Sequence, residues 1–228
     1  MIAIEIIGAA TLLVGSGCDR ILSIRAIAST DAPAPSPDAR SLADAGGPCT
    51  DPAQRCVFVT SQQYTPATVL TSETVADMLC GNAALNNGAL VGLHFTAYLS
   101  DSSHNAIDRI EKFTGTYVLV DGTPVAHGYT TFGAGNGVML VHAIDADERG
   151  AAAPTFSSVC GANMTPVWTG TAPNGMTSGP TETCQNWAID LSASYGAAGL
   201  AQAISESWVA GCNLPCNNEA ALYCIQQP

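Results

Sequence analysis

The cysteines are the residues of this chain with the most chemistry open to them. The chain has nine cysteines in 228 residues, and a cysteine can form a bridge, ligate a metal or act as a nucleophile. Their spacing contains no paired Cys-x-x-Cys sets of the zinc-ribbon type. Setting Cys18 aside leaves eight, enough for four disulfide bridges in an oxidising compartment. The eight are Cys49, Cys56, Cys80, Cys160, Cys184, Cys212, Cys216 and Cys224.

The residues alone leave the pairing of these eight cysteines open, with about 105 connectivities. Cys49 and Cys56 bracket a Thr-Asp-Pro-Ala-Gln-Arg turn, which makes them candidate local partners. The alternative is that some are free buried thiols that pack as small hydrophobes. A cysteine-dependent enzyme would need a reactive pair, and Cys212 with Cys216, spaced Cys-x-x-x-Cys, is the candidate for it.

No other set of residues predicts catalysis. The four histidines show no His-Glu-x-x-His spacing, and the chain has no Gly-x-Ser-x-Gly elbow. The glycine-rich stretch 133–137 lacks the Lys-Ser/Thr of a phosphate-binding loop. We therefore predict no enzymatic activity and no catalytic residues. The histidines are His94, His104, His127 and His142.

Three acids in one loop are a weak candidate for a metal site. Asp145, Asp147 and Glu148 could offer oxygen ligands to a hard cation such as calcium. Acids in a loop are more often solvated than bound to metal. The sequence therefore predicts no cofactor and no metal, with calcium at these three residues as the alternative.

The composition restricts the partners. Seven Lys and Arg against nineteen Asp and Glu give a net charge of -12, which argues against nucleic acid and other polyanions. The chain is 47% hydrophobic and 11% charged, so it can bury a core and differs from disordered chains in composition.

The N-terminus predicts export and a lipid anchor. Residues Ile2 to Val14 are apolar except for Glu5; the run is shorter than the about 20 residues that span a bilayer, but matches a signal-peptide core. It leads into Leu-Leu-Val-Gly-Ser-Gly-Cys, which resembles the lipobox at which bacterial lipoprotein precursors are cut and acylated. We predict a signal peptide over 1–17 and lipid attachment at Cys18. The alternatives are cleavage after Ala28 or a stretch with no targeting role.

Residues 18–48 predict a tether between the lipidated cysteine and a folded domain. Positions 32–37 read Ala-Pro-Ala-Pro-Ser-Pro, and a Pro-rich segment stays extended at about 3 Å per residue. No second linker follows, so residues 49–228 are predicted to form one domain. The predicted location is extracytoplasmic, at the outer membrane or cell surface, with the membrane contacted through the lipid only.

Mixed secondary structure would position these residues. Cys56–Thr60 and Leu93–Ser100 are rich in β-branched and aromatic residues, which predicts strands. Ser72 is the predicted cap of a helix. The apolar positions of that helix follow helical spacing at Val75, Met78, Leu79 and Ala83.

The second half of the domain predicts a hairpin and then irregular chain. Asp-Gly at 121–122 predicts a type I′ turn, and Pro124 places the return strand at a sheet edge. From 133 to 179 the chain is rich in Gly, Pro, Thr and Asn, with only Val138–Ile144 strand-like. Such long loops in compact domains are usually functional. Ala220–Ile225 is predicted as the final strand.

Ordered sequence blocks over residues 56–228 resemble a known family. The blocks include Val-Phe-Val-Thr-Ser at 57–61, Tyr-Val-Leu-Val-Asp-Gly at 117–122, Val-Trp-Thr-Gly at 167–170, Cys-Gln-Asn-Trp at 184–187 and Leu-Tyr-Cys at 222–224. They resemble an uncharacterised bacterial surface-protein domain of the C-type-lectin-like fold, related in shape to endostatin. The resemblance implies an α+β fold with short antiparallel sheets, one or two helices, a long loop region and disulfide bridges.

The resemblance also implies how the cysteines pair. It implies one bridge between the first helix and the last strand and another inside the long-loop region. The pairs are Cys80–Cys224 and Cys184–Cys212, with Cys160–Cys216 remaining if Cys49 pairs with Cys56. An exchange of Cys212 and Cys216 stays open as the alternative.

The sugar site of calcium-dependent C-type lectins is not matched residue by residue. Those lectins carry Glu-Pro-Asn or Gln-Pro-Asp and then Trp-Asn-Asp, where this chain has Ala-Pro-Asn at 172–174 and Trp-Val-Ala at 208–210. Trp168, Trp187 and Trp208 are candidates to stack on a ligand, although tryptophans more often pack in a core. We predict a binding or adhesion module for carbohydrate or protein, with a structural envelope protein as a further alternative.

Overall fold

The main sheet is built around the pairing of its first and last strands. In this computed structural model, β1 (Gln54–Val59) pairs antiparallel with β10 (Tyr223–Gln227) and parallel with β3 (Thr116–Val118). β2 (His94–Ala97) lies beside β10, and β4 (Pro124–His127) lies beside β3. The order across the five-stranded sheet is therefore β2-β10-β1-β3-β4.

The structure describes residues 47–69, 72–133 and 139–228. All of them belong to one compact unit, Leu42–Pro228. The predicted signal peptide, Cys18 and nearly all of the predicted tether lie outside the described residues. Within the described residues, no helix combines the length and apolar character that a membrane crossing requires.

Both faces of β1 are buried, which explains its unbroken apolar sequence. Side chains alternate across a strand, and Cys56 and Phe58 pack in one core while Val57 and Val59 pack in the other. All four are fully buried. The predicted strand at Cys56–Thr60 is confirmed, with β1 starting two residues earlier.

Two smaller sheets lie in the second half of the chain. β5 (Phe156–Ser158) pairs with β6 (Gly161–Met164), and both are short. β7 (Pro166–Trp168), β8 (Tyr195–Leu200) and β9 (Cys212–Pro215) form an antiparallel three-stranded sheet. The irregular region that the composition predicts therefore contains short strands. The predicted strand at Val138–Ile144 is wrong for residues 139–144, the part that the structure describes.

In the described part of the chain the helices are few, and only one α-helix exceeds a single turn. That helix begins as predicted, because the Ser72 hydroxyl accepts a hydrogen bond of 3.3 Å from the Val75 amide. Its predicted apolar face is wrong in part, since Met78 is 59% exposed. Small Ala76 and Cys80 are buried instead, which lets the helix approach the sheet closely. The helices are α1 (Pro66–Val69), α2 (Glu73–Ala84), α3 (Ala106–Arg109) and α4 (Cys184–Trp187), with 3-10 turns at Pro48–Thr50, Tyr129–Gly133, Pro180–Glu182 and Glu206–Trp208.

The β3–β4 hairpin is present, but its turn differs from the predicted type. A type I′ turn needs positive φ at both central residues, and of Asp121 and Gly122 only the glycine has it, at 92°. The loop is closed by the Leu119 amide donating to Thr123 O at 2.8 Å. Pro124 does lie on an edge strand, as predicted.

Four bridges join the eight cysteines, and two of the four follow the predicted pairing. Cys49 is bonded to Cys56 and Cys80 to Cys224. The predicted Cys184–Cys212 and Cys160–Cys216 pairs are wrong: the structure has the exchanged pairs, Cys160–Cys212 and Cys184–Cys216.

Strand register explains the exchange. Thr183 pairs with Gly196, and Gly196 in turn pairs with Leu214 near the C-terminal end of β9. This register sets Cys184 beside Cys216. Cys212 lies at the opposite end of β9. It is four residues from Cys216, which is about 13 Å at 3.3 Å per residue.

The bridge between helix α2 and strand β10 should stabilise the domain most. Cys80 and Cys224 are 144 residues apart, whereas Cys49 and Cys56 are seven apart. Loop-closure entropy then predicts a loss of about 5 kcal/mol for Cys80→Ala/Cys224→Ala and about 2 kcal/mol for Cys49→Ala/Cys56→Ala. Urea denaturation of the two double variants measures both. Equal losses would contradict the prediction.

Candidate functional site

The three tryptophans pack in the core, so they are not available to stack on a ligand. Trp168 and Trp187 are fully buried and Trp208 is 3% exposed. Trp168 and Trp187 meet edge to face with ring centroids 5.7 Å apart. Their indole N–H groups donate to backbone carbonyls, at 2.8 Å to Tyr64 and 3.0 Å to Ser100. The candidate role of all three in ligand binding is therefore wrong.

The acidic loop does not assemble a metal site from its three carboxylates. Asp147 is 1% exposed, and its Oδ2 accepts a hydrogen bond of 2.6 Å from the Arg149 guanidinium. Asp145 is half-exposed and lies 3.7 Å from His142 Nδ1. Glu148 is fully buried and is hydrogen-bonded by Ser61. The candidate site is wrong because each acid has a different set of neighbours.

One other cluster in the described part of the chain brings three potential metal ligands together: Glu73, Asp101 and His104. The Glu73 Oε2 atom lies 3.1 Å from His104 Nδ1 and 3.2 Å from Arg109 Nε. Burial raises the pKa of Glu73, and the charge of Arg109 opposes that rise. Because a guanidinium already lies against the shared carboxylate, this cluster acts as an ion-pair network and does not favour a second cation.

The remaining candidates for catalysis are separated in space or oxidised. His94 and His127 are exposed on β2 and β4, the two edge strands of the main sheet. Cys212 and Cys216, the candidate reactive pair, are each bonded to another cysteine. A nucleophilic cysteine must be a thiolate, and all eight cysteines from Cys49 to Cys224 are in bridges.

The long-loop region does form a cleft, which we call the long-loop cleft. It has a volume of about 400 Å³. One wall is the loop from Ala172 to Ser178, followed by Glu182, and the other is Asn213 on β9. The floor includes Ala197 of β8 and Gly211. The cleft therefore presents hydroxyl, amide and carboxylate groups over a floor of small residues.

An exposed tyrosine lies on the face of β8 that borders this cleft. Tyr195 is 45% exposed and points to the same side of the strand as Ala197, two residues further on. A Cβ added to Gly196, on the opposite side, would meet Trp168 and Cys184 in the core. The Tyr195 ring is therefore on the solvent side, about 7 Å along the strand from the cleft floor.

A left-handed turn closes the loop beside the cleft. The four residues of α4, Cys184 to Trp187, all have positive φ, from 49° to 63°. Left-handed backbone costs about 1–2 kcal/mol per non-glycine residue. The turn is held by the Cys184–Cys216 bridge and by two hydrogen bonds between Asn186 and Ser102, from the Ser102 amide at 2.9 Å and to the Ser102 hydroxyl at 2.8 Å.

Sequence reasoning missed both the turn and the cleft. The turn contains no glycine, and only Asn186 belongs to a residue type that often adopts left-handed backbone. Glu182 and Asn213 reach one cleft from a 3-10 turn and from strand β9, which lie 31 residues apart in the sequence. The one usable signal was Tyr195, an aromatic residue in the otherwise small and polar stretch 192–197.

A second, more polar cleft lies above Glu148 of the acidic loop. We call it the Glu148 cleft, and its volume is about 250 Å³. Glu148 Oε2 accepts from the Ser61 amide at 2.9 Å, and Oε1 accepts from the Ser61 hydroxyl at 2.6 Å. The Asn86 amide approaches Oε1 at 3.4 Å. The lining residues are Ser61, Gln62, Tyr64, Leu79, Asn82, Ala83, Asn86 and Glu148.

No protein-family model matches this chain, and no curated protein sequence matches it. The structure shows a mixed α+β protein with few helices, short sheets and four bridges, as predicted. The likeness to C-type-lectin-like domains stays a prediction. The four bridges indicate an oxidising, extracytoplasmic environment.

The charge of Glu148 should have a measurable effect on the pKa of Tyr64. Burial raises the pKa of Tyr64 above its usual value of 10, and the charge of Glu148 raises it further. We expect Glu148→Gln to lower the pKa of Tyr64 and leave it above 10, because burial remains. An NMR titration of ¹³C-labelled tyrosine measures the shift. Asp145→Asn is the control and should leave Tyr64 unchanged; an unchanged Tyr64 in Glu148→Gln would refute the assignment.

Proposed function

We propose that this chain is an extracytoplasmic binding module, anchored by a lipid on Cys18, that binds carbohydrate in the long-loop cleft. The observation that carries the proposal is the pairing of a polar cleft with an exposed aromatic ring on the same sheet face. Sugars are bound by hydrogen bonds to their hydroxyl groups together with stacking of their apolar faces on aromatic rings. Tyr195, Asn213 and Glu182 provide these two kinds of group.

Two polar side chains of the long-loop cleft are available to form hydrogen bonds with a ligand. The Asn213 side chain is exposed and makes no hydrogen bond within the described residues. A side-chain amide can both donate to and accept from a hydroxyl group. Glu182 adds a carboxylate acceptor and forms no ion pair within that part of the chain.

The rigidity of the site also supports binding. The Cys184–Cys216 bridge holds the chain directly after Glu182, and the Cys160–Cys212 bridge holds the residue next to Asn213. Groups that are already fixed lose little conformational entropy when a ligand binds. The same frame would suit a protein partner, which remains the alternative occupant.

The anchor rests on the sequence. The apolar run at residues 2–14 and the Gly-Ser-Gly-Cys that follows it support export and acylation. The Pro-rich segment would then hold the domain away from the membrane surface. The four bridges fit this location, since they form and persist outside the reducing cytosol.

Glycan binding should be independent of calcium and depend on Tyr195. The full chain with its bridges oxidised is tested on a glycan array with calcium and again with a chelator. We expect binding in both conditions, because the long-loop cleft offers a single carboxylate. Tyr195→Ala should weaken binding about tenfold, the effect of losing one aromatic contact of about 1.4 kcal/mol.

Val91→Ala is the matched control, since Val91 is 57% exposed and lies outside the cleft. It should bind as the unmodified chain does. Equal losses in the two variants would remove Tyr195 from the site. Absence of binding to every glycan would refute carbohydrate as the ligand and favour a protein partner.

Acylation should depend on Cys18. Metabolic labelling of bacteria that express the chain should place labelled palmitate on the protein, and Cys18→Ser should abolish it. Mass spectrometry of the mature N-terminus provides the control for the competing cleavage. A mature chain that begins at Ser29 would show ordinary secretion after Ala28 and overturn the lipid anchor.

A further inference from the structure

The Glu148 cleft contains a buried carboxylate that forms no ion pair within the described residues. Glu148 is fully buried, and within the described residues no Lys, Arg or His forms an ion pair with it. The neighbouring Arg149 is turned to Asp147, at 2.6 Å. A carboxylate out of water is costly unless it is paired. Its hydrogen bonds from Ser61 and Asn86 compensate part of that cost.

The cleft above this carboxylate is open to a small ligand. Its volume of about 250 Å³ is the volume of about eight water molecules at 30 Å³ each. An ionised carboxylate has about four acceptor positions, and three donor contacts reach Glu148. Because the carboxylate is fully buried, a ligand reaches it by displacing the Asn86 amide, whose contact of 3.4 Å is the longest of the three.

The other walls supply further acceptors and a short apolar surface. The side chains of Gln62 and Asn82 form no hydrogen bonds within the described residues. Tyr64 contributes a phenol oxygen close enough to Glu148 to feel its charge. Leu79 and Ala83 of α2 form the apolar side. These groups fit a cationic head that carries a small carbon skeleton.

An ammonium group fits this arrangement better than a metal ion does. Calcium takes six to eight oxygen ligands, usually with several carboxylates, and this cleft has one carboxylate. The Asn86 amide also presents its N–H group to Glu148, so its nitrogen faces the position that a metal would need. An ammonium group needs about three acceptors for its three N–H donors. Glu148, the Tyr64 hydroxyl and the Asn82 amide oxygen can provide them.

We propose that the Glu148 cleft binds the primary ammonium group of a small ligand or side chain. The two sources with this chemistry are an amino sugar and a lysine side chain. The site is separate from the long-loop cleft, with which it shares no lining residue. It therefore stands whether or not the chain binds carbohydrate there.

Isothermal titration calorimetry of the full oxidised chain tests the proposal. The probes are glucosamine and Nα-acetyl-lysine methylamide, with N-acetylglucosamine as the uncharged comparison and calcium chloride as the metal comparison. We expect both ammonium probes to bind and N-acetylglucosamine to bind at least about tenfold more weakly. Tighter binding of glucosamine would identify an amino sugar as the source, and tighter binding of the lysine derivative would identify a protein.

Variants locate the binding. Glu148→Gln keeps the shape and removes the charge, and should weaken both ammonium probes at least about tenfold. Asp145→Asn removes the same charge from the same loop outside the cleft and should have no effect. Asn82→Leu fills the cleft from an exposed position of α2 and decides the outcome if Glu148→Gln does not fold.

Four results would overturn the proposal. They are failure of both ammonium probes to bind, equal binding of N-acetylglucosamine, calcium binding that Glu148→Gln abolishes, and binding that Glu148→Gln or Asn82→Leu leaves unchanged. Failure of the glycan array alone would not affect it, since that experiment reports on the long-loop cleft.

Discussion

Strands β1 and β10 come from opposite ends of the domain and hydrogen-bond along Val57–Val59 and Tyr223–Ile225. The chain between them supplies the other three strands of this sheet and the segments that cover it, and the rest of the architecture follows from this constraint. Both strands are apolar on both sides, so each face of the sheet needs a cover. Helix α2 covers one face, and an aromatic cluster around Trp208, with Phe132 and Tyr98, covers the other.

The bridges hold the parts of the chain that regular structure cannot. Cys80–Cys224 fastens the covering helix to the last strand within one of the two cores. Cys160–Cys212 and Cys184–Cys216 fasten loops to the two ends of β9. The left-handed turn at Cys184–Trp187 depends on such fastening, because its backbone is unfavourable without bonds and burial to offset it.

The two clefts differ in how they are built. The long-loop cleft lies between loops that are bridged to β9, and its polar groups come from positions 172–213. The Glu148 cleft lies where the end of β1, the last turns of α2 and the acidic loop meet. One offers hydroxyl, amide and carboxylate groups beside an exposed ring, and the other offers a buried carboxylate. The same fold can therefore recognise two chemically different groups.

The sequence by itself determined the local features of this protein. The β-branched and aromatic residues of Cys56–Thr60 predicted β1, and Pro124 predicted that its own strand lies at a sheet edge. Ser72 predicted the start of α2, and the even set of cysteines predicted an oxidising compartment. These signals depend on neighbouring residues or on composition. Only the tertiary structure decided the Cys184–Cys216 pairing, the burial of the three tryptophans and the assembly of Glu148 with Ser61 and Asn86. Such contacts join residues that are 32 to 87 positions apart, and strand register, which local sequence does not encode, brings them together.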